Sequence, residues 1–192
     1  MTAPAPSAAA DAAPVAHRPT LTPTVKPAEP ELTEHYIDIV ENQRNVDFKL
    51  LFGDYLRGAT EILLVDPYIH KFHQMRNLME FMEMLLELKS DDTNITVRLQ
   101  TSEYPEKPEE QRANLEEIAE SCLAEGIEFL WEFVDGDHDR YIQADTGWRI
   151  SLGRGLDIYL LGSRSAFQFS THLPSRRACK KFSVQYLRVA ES

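Results

Sequence analysis

Glu61-Ile-Leu-Leu-Val65 is a short apolar run closed by Asp66-Pro67. A continuous run of this length suits a strand buried on both faces. Immediately downstream, His70 to Leu88 carries Met75, Leu78, Met79, Met82, Leu85 and Leu86 at helical spacing, which predicts a long amphipathic helix. Upstream, His35 to Val40 alternates as a strand. Asn45 then precedes a helix with Phe48, Leu51, Phe52, Tyr55 and Leu56 on one face, stopped by Gly58. Downstream, Asn94 to Leu99 alternates, and Pro108 opens a helix with Leu115, Ile118, Ala119, Cys122 and Leu123 inside. Gly126 closes that helix, and Ile127 to Val134 is a further strand. The order strand-helix-strand-helix-strand-helix-strand predicts an α/β fold: a mixed, partly parallel sheet flanked by helices.

Length and composition narrow the class. The chain has 192 residues, enough for one domain. Residues 1–30 hold 7 of the 11 prolines and 9 alanines, with almost no large apolar side chain. Such a segment cannot bury enough surface to offset chain entropy. Residues 1–33 are therefore expected to be a disordered tail or linker, and residues 34–192 the domain. The only cysteines, Cys122 and Cys179, exclude a disulfide framework and a four-cysteine zinc site. Cys122, on an apolar helix face, reads as a small core residue. No apolar stretch is long enough for a transmembrane helix. The expectation is a cytoplasmic protein without a cofactor or metal.

Charge is distributed unevenly. The formal net charge is −11, which argues against a general nucleic-acid coat protein. The tail is neutral, residues 31–137 carry −16, and residues 138–192 carry +5. Either an acidic helical surface lies beside a sheet edge guarded by basic residues, or the basic third builds an anion site.

His138-Asp-Arg140-Tyr-Ile-Gln-Ala-Asp145 lies at the start of that basic third. It reads as one arm of a hairpin, with Asp145-Thr-Gly147 at the turn and Trp148 to Leu152 as the other arm. Phe167-Gln-Phe169 and Phe182 to Leu187 are two further alternating runs. In an extended strand residues i and i+2 share a face, so His138 and Arg140 project together. Arg140 can grip a phosphate held beside the imidazole, which is then placed for attack or proton transfer. Asp145 is a candidate to orient a histidine. Arg149 and Arg154 add positive charge, and Gly153-Arg-Gly155 can offer backbone N–H groups to an anion.

The spacing resembles the phospholipase D superfamily signature His-x-Lys-x-x-x-x-Asp, with Arg140 in the lysine position. Those enzymes use two such motifs, and this chain has one: His172 is not followed by a basic residue two positions later. A wider set of motifs is similar to one family. Asp66-Pro-Tyr-Ile69, His73-Gln74, His138-Asp-Arg140, Gly147-Trp148 and Gly153-Arg-Gly-Leu-Asp157 look like the C-terminal phospholipase-D-like domain of MIT-domain-containing (microtubule interacting and trafficking) proteins, over about residues 35–190. The resemblance implies a single-motif phospholipase-D-like fold, homodimerisation, and binding of acidic phospholipids without established hydrolysis. It also implies that arginine for lysine is a family feature. A Pro/Ala tail stands where those proteins carry the helical MIT domain, so that domain's partners do not carry over.

The remaining candidates have structural alternatives. Asp66 ends a strand, suited to a ligand site in an α/β sheet and equally to capping the next helix. His70 and His73 could share a metal, but no third ligand is apparent, and His73 is expected near the Asp66-Pro67 loop. Trp148 reads as core. Arg176, Arg177, Lys180 and Lys181 could meet phosphate or guard an edge. The expected function is a non-catalytic homodimeric module for phosphate-bearing ligands, foremost acidic phospholipid headgroups, peripheral at a membrane. Its ligand contacts would be His138, Arg140, Arg149, Arg154, Asp66 and His73. One alternative is a metal-independent phosphodiesterase, of nuclease or phospholipase type, using His138, Arg140 and Asp145, with the site completed across the dimer. Another is a protein-assembly domain whose partner binds through the tail or the acidic helices.

Overall fold

The computed structural model describes residues 1–2, 31–135, 138–161 and 173–189. The Pro/Ala-rich tail at residues 3–30, the expected strand at Phe167–Phe169, and His172 lie outside the described residues. The chain divides between Glu31 and Leu32, and the unit Leu32–Ser192 carries the α/β fold. Its elements are β1 (His35–Ile39), α1 (Phe48–Leu56), β2 (Glu61–Val65), α2 (Phe72–Leu88), β3 (Ile95–Thr101), α3 (Pro108–Ala124), β4 (Ile127–Phe133), β5 (Tyr141–Ala144), β6 (Trp148–Leu152) and β7 (Phe182–Arg188).

The seven strands form one mixed sheet in the order β1-β7-β6-β5-β2-β3-β4. β2, β3 and β4 are parallel, joined through α2 and α3. The other four strands pair antiparallel, and β5 joins the halves by pairing with β2. Consecutive right-handed crossovers running in one direction place α2 and α3 on the same face. α1 packs on α2 and contacts β6, so it joins that layer. Strand alternation follows: Ile62, Leu64, Val97, Leu99, Ile142, Ile150 and Val184 are buried toward the helices, whereas Leu63, Arg98, Leu130, Gln143, Arg149 and Gln185 are half-buried or exposed on the other face. This corrects the reading of Glu61–Val65 as buried on both faces. Among the described residues, the three α-helices lie on one side and leave the second face of the sheet more open.

Each helix starts for a local reason. Asp47 caps α1, its side chain accepting from Leu50 N–H at 2.8 Å. Gln74 Oε1 folds back on α2 and accepts from His70 N–H (3.1 Å) and Lys71 N–H (2.8 Å). The helix therefore begins at Phe72 rather than His70, and Asp66 is not its cap. Pro108 supplies the fixed φ of the first turn of α3, and Glu109 and Glu110 complement the helix dipole there. The core includes Phe52, Phe81, Leu78, Leu85 and Leu115, each fully buried, with Cys122 and Trp148. Leu123, expected inside, is 68% exposed, because the buried stripe of α3 runs through Gln111, Leu115, Ile118 and Cys122. Near the C-terminus Arg177 lies over the Tyr159 ring at 3.6 Å and ion-pairs with Glu80 of α2.

Candidate functional site

The site starts from a buried carboxylate. Asp66 stands at the C-terminal end of β2 and is 1% exposed. Its Oδ1 accepts from Tyr68 N–H (3.1 Å) and its Oδ2 from Leu156 N–H (2.9 Å). Burial pushes its pKa up to about 6, with those two N–H groups and the Arg140 charge pulling the other way. Gly155 makes the arrangement possible. A Cβ built at Gly155 would come within 1.9 Å of Asp66 Oδ2, and its φ of 59° lies in the left-handed region. The glycine-flanked loop thus cradles an anion, but it is the chain's own Asp66, held by Leu156 N–H. Gly153 N–H bonds Ser183 C=O at 3.0 Å.

Asp66 fixes the backbone of Tyr68, and Tyr68 brings His138 and Arg140 together. The Tyr68 hydroxyl is 3.1 Å from His138 Nδ1, with the two rings near parallel at 6.4 Å. The Arg140 guanidinium lies 4.4 Å over the Tyr68 ring and donates from Nη1 to Gly153 C=O at 3.0 Å. The hairpin places both residues just ahead of β5, which begins at Tyr141 rather than at His138. Arg140 C=O still accepts Leu152 N–H at 2.8 Å and so extends the β5–β6 pairing.

Two open grooves of ≈ 770 and ≈ 310 Å³ share Tyr36, Arg140, Gly153 and Ser183. The larger runs past Tyr68 to Arg154, Asp157 and Lys181. The smaller runs past His138, Asp139 and Arg149. Arg149 lies 3.6 Å over the Tyr141 ring, with Nη2 3.9 Å from Asp139. Arg154 is anchored by Nε to Lys181 C=O (3.0 Å). Arginine has five donors in a planar fork, so one anchoring bond leaves others for a ligand.

Other predicted residues fall elsewhere. Asp145 lies at the far end of β5, about 20 Å from His138 at strand spacing. Its carboxylate takes Thr60 N–H (3.1 Å) and Thr60 Oγ1–H (2.5 Å), so it fixes the β2 entry and, among the described residues, orients no histidine. His73 is set beside Asp157, at 3.7 Å, where Lys180 is also paired at 2.7 Å. His70 turns away to Ser102 (2.9 Å to Oγ) and stacks on Tyr104, and burial lowers its pKa. The two histidines therefore share no centre. Among the described residues no group of three or more His, Cys, Asp or Glu side chains is arranged for a metal ion. No described helix is long and apolar enough to cross a membrane. Lys181, one of the basic residues expected to meet phosphate or guard an edge, lines the larger groove, whereas Tyr68, Tyr36 and Asp157 were not singled out as site residues from the sequence. Only the Asp-Pro-Tyr and Gly-Arg-Gly-Leu-Asp motifs hinted at two of them.

Comparisons with known proteins agree with this architecture. The family model described as a phospholipase D-like domain at the C-terminus of MIT matches residues 45–188. The chain is 34% identical over 150 residues to MIT domain-containing protein 1 of Mus musculus, which covers 77% of this chain. It spans 59% of that relative's length. With a single His-x-Arg arm beside a mixed seven-stranded sheet, and a family match over most of its length, the chain belongs to the family of phospholipase D-like domains found at the C-terminus of MIT.

Proposed function

We propose that this domain is a binding module for phosphate-bearing ligands, foremost acidic phospholipid headgroups at a membrane surface, and that it works as a homodimer. The observation that carries the reading is the convergence of Arg140 and His138 on Tyr68, where the two grooves meet. Arg149, Arg154 and Lys181 line the same grooves, so cationic donors face an open, mostly polar surface. An open site suits a headgroup presented by a bilayer better than a small molecule that must be enclosed. Each Lys or Arg brought near an anionic surface contributes about 1 kcal/mol, and the effect fades with salt.

The test is co-sedimentation with phosphatidylserine-containing vesicles against neutral ones, with the dimer followed by sedimentation velocity. Anionic vesicles should retain the protein, and Arg140→Ala and Arg149→Ala should each reduce retention while circular dichroism stays native. Equal retention by neutral and anionic vesicles refutes the reading.

A second reading is phosphodiester hydrolysis across the dimer. It draws support from the hold of the Tyr68 hydroxyl on His138 Nδ1, since such a contact sets the tautomer and aim of the other ring nitrogen. Turnover of a nitrophenyl phosphodiester in EDTA, lost in His138→Ala, would favour it over pure binding.

A further inference from the structure

The face of the helical layer carries a second feature, remote in chemistry from the basic grooves. Between α2 and α3 lies an open groove of ≈ 200 Å³ whose apolar lining comes from Phe72, Met75, Met79 and Ile118. The contributing positions on α2 are 72, 75, 76 and 79, and on α3 they are 114, 117, 118 and 121. Both sets follow the i, i+3, i+4, i+7 rule, so each helix turns one stripe toward the cleft. The cleft therefore has the length of about two helical turns. Phe72 is 72% exposed at its mouth, an unusual position for a large aromatic ring.

The surroundings specify charge. α2 and α3 together carry eight acidic and two basic side chains. Glu117 lines the groove itself, and Glu83 continues the α2 stripe one turn beyond Met79. Arg76, which also lines it, is directed to Glu80 at 3.8 Å. A second copy docked there about a two-fold axis would bring two acidic helix pairs together, because such an interface is self-facing. Charge complementarity favours a cationic occupant instead. Methionine-lined clefts accept helices well, since the unbranched side chains adapt to the incoming surface.

We infer that the α2–α3 groove is a docking site for a basic amphipathic helix of a protein partner. The helix inserts apolar side chains at i, i+3, i+4 and i+7 between Phe72, Met79 and Ile118, and its Lys or Arg residues meet Glu83 and Glu117. The inference is independent of phosphate binding.

The experiment uses the full chain and a synthetic amphipathic peptide of about 15 residues, with leucines at helical spacing and lysines on both flanks. A peptide of the same composition with scrambled spacing is the control. Titration calorimetry should record binding of the patterned peptide that weakens with salt. Phe72→Ala and Glu117→Lys should each weaken it by about tenfold, while Arg140→Ala leaves it unchanged. Both substituted side chains are exposed, so the variants should remain folded, as circular dichroism would verify. Three results each overturn the inference: equal binding of the scrambled peptide, affinity unchanged in Phe72→Ala, or a homodimer that dissociates on Phe72→Ala, which would make the occupant a second copy.

Discussion

The parallel half of the sheet and its antiparallel half use polar groups in different ways. In α2, α3 and β3 the buried polar side chains, Gln74, Asn77, Thr101 and Gln111, are uncharged, and charges ride on the surface, as in the exposed Lys107–Glu110 pair at 2.7 Å. In β5, β6 and β7 and the loops beside them, charged groups are built into the structure. Asp66 is sealed under Gly155, Arg140 lies on Tyr68, and Lys180 pairs with Asp157. The boundary falls at the end of β2, where the β2–β5 pairing brings the two halves into contact. A surface charge can be exchanged at little cost, whereas a buried one constrains every neighbour that must satisfy it. The basic third is therefore the less tolerant half, and it is the half that forms the grooves.

The largest expected effect contrasts two glycines. Gly155→Ala should lower stability by about 4 kcal/mol, because its Cβ would drive into Asp66 and its φ is strained. Gly58→Ala, at φ 79° with nothing within 4 Å, should cost only about 1 kcal/mol. Urea denaturation of both variants measures the difference, and equal losses would break the contrast.

The next effect is pH dependence. Asp66 has a folded pKa of about 6 against 3.8 unfolded, so between those values the native state holds a proton that the unfolded chain has released. Its contribution to stability therefore falls as pH rises through that window and is level above it. The shift corresponds to about 3 kcal/mol. The stability difference between wild type and Asp66→Asn should shrink by about that amount from pH 4 to pH 7, read from denaturation at both values. A difference that stays flat across the window would mean that the carboxylate is not buried as described.

A smaller change is expected for ligand binding. Arg140→Ala should weaken attachment to anionic vesicles by about tenfold, or about 1.4 kcal/mol. Arg98→Ala, on the open sheet face of the parallel half, should leave it unchanged. Similar losses in both variants would point to diffuse charge rather than a groove. The smallest effect is Leu123→Lys on the outer face of α3, expected within about 0.5 kcal/mol of wild type by thermal denaturation.

The elements of the parallel half were legible from local pattern, an apolar run or a helical period. Glu61–Val65 and Ile127–Phe133 read as strands, and the methionine-rich stripe of α2 as a helix. Their ends were less legible. Gln74 takes over the start of α2, and Asp47 that of α1, through side chain to backbone bonds that periodicity does not encode. Leu123 was misplaced for a related reason: a helix shows an apolar residue at every turn, and the direction of the core is set by the sheet it packs on. In the candidate site, the spacing of His138 and Arg140 predicts that they project together, and the structure brings both to Tyr68. Asp145 completes the signature spacing in the sequence, but an extended strand carries it away from them to Thr60.

The sequence by itself determined the α/β alternation, the single His-x-Arg arm and the split between an acidic body and a basic third. These are properties of local order, period and composition, which survive without knowledge of any contact. The tertiary structure alone decided that Tyr68, some 70 residues from His138, is the surface on which the imidazole and the guanidinium meet. It also decided that the glycine loop closes on Asp66 and not on a ligand. Both results come from pairing β5 beside β2, which joins distant stretches of chain through backbone hydrogen bonds. Backbone groups are the same in every residue, so the partner of a strand is chosen by the packing of the whole sheet and not written at any one position.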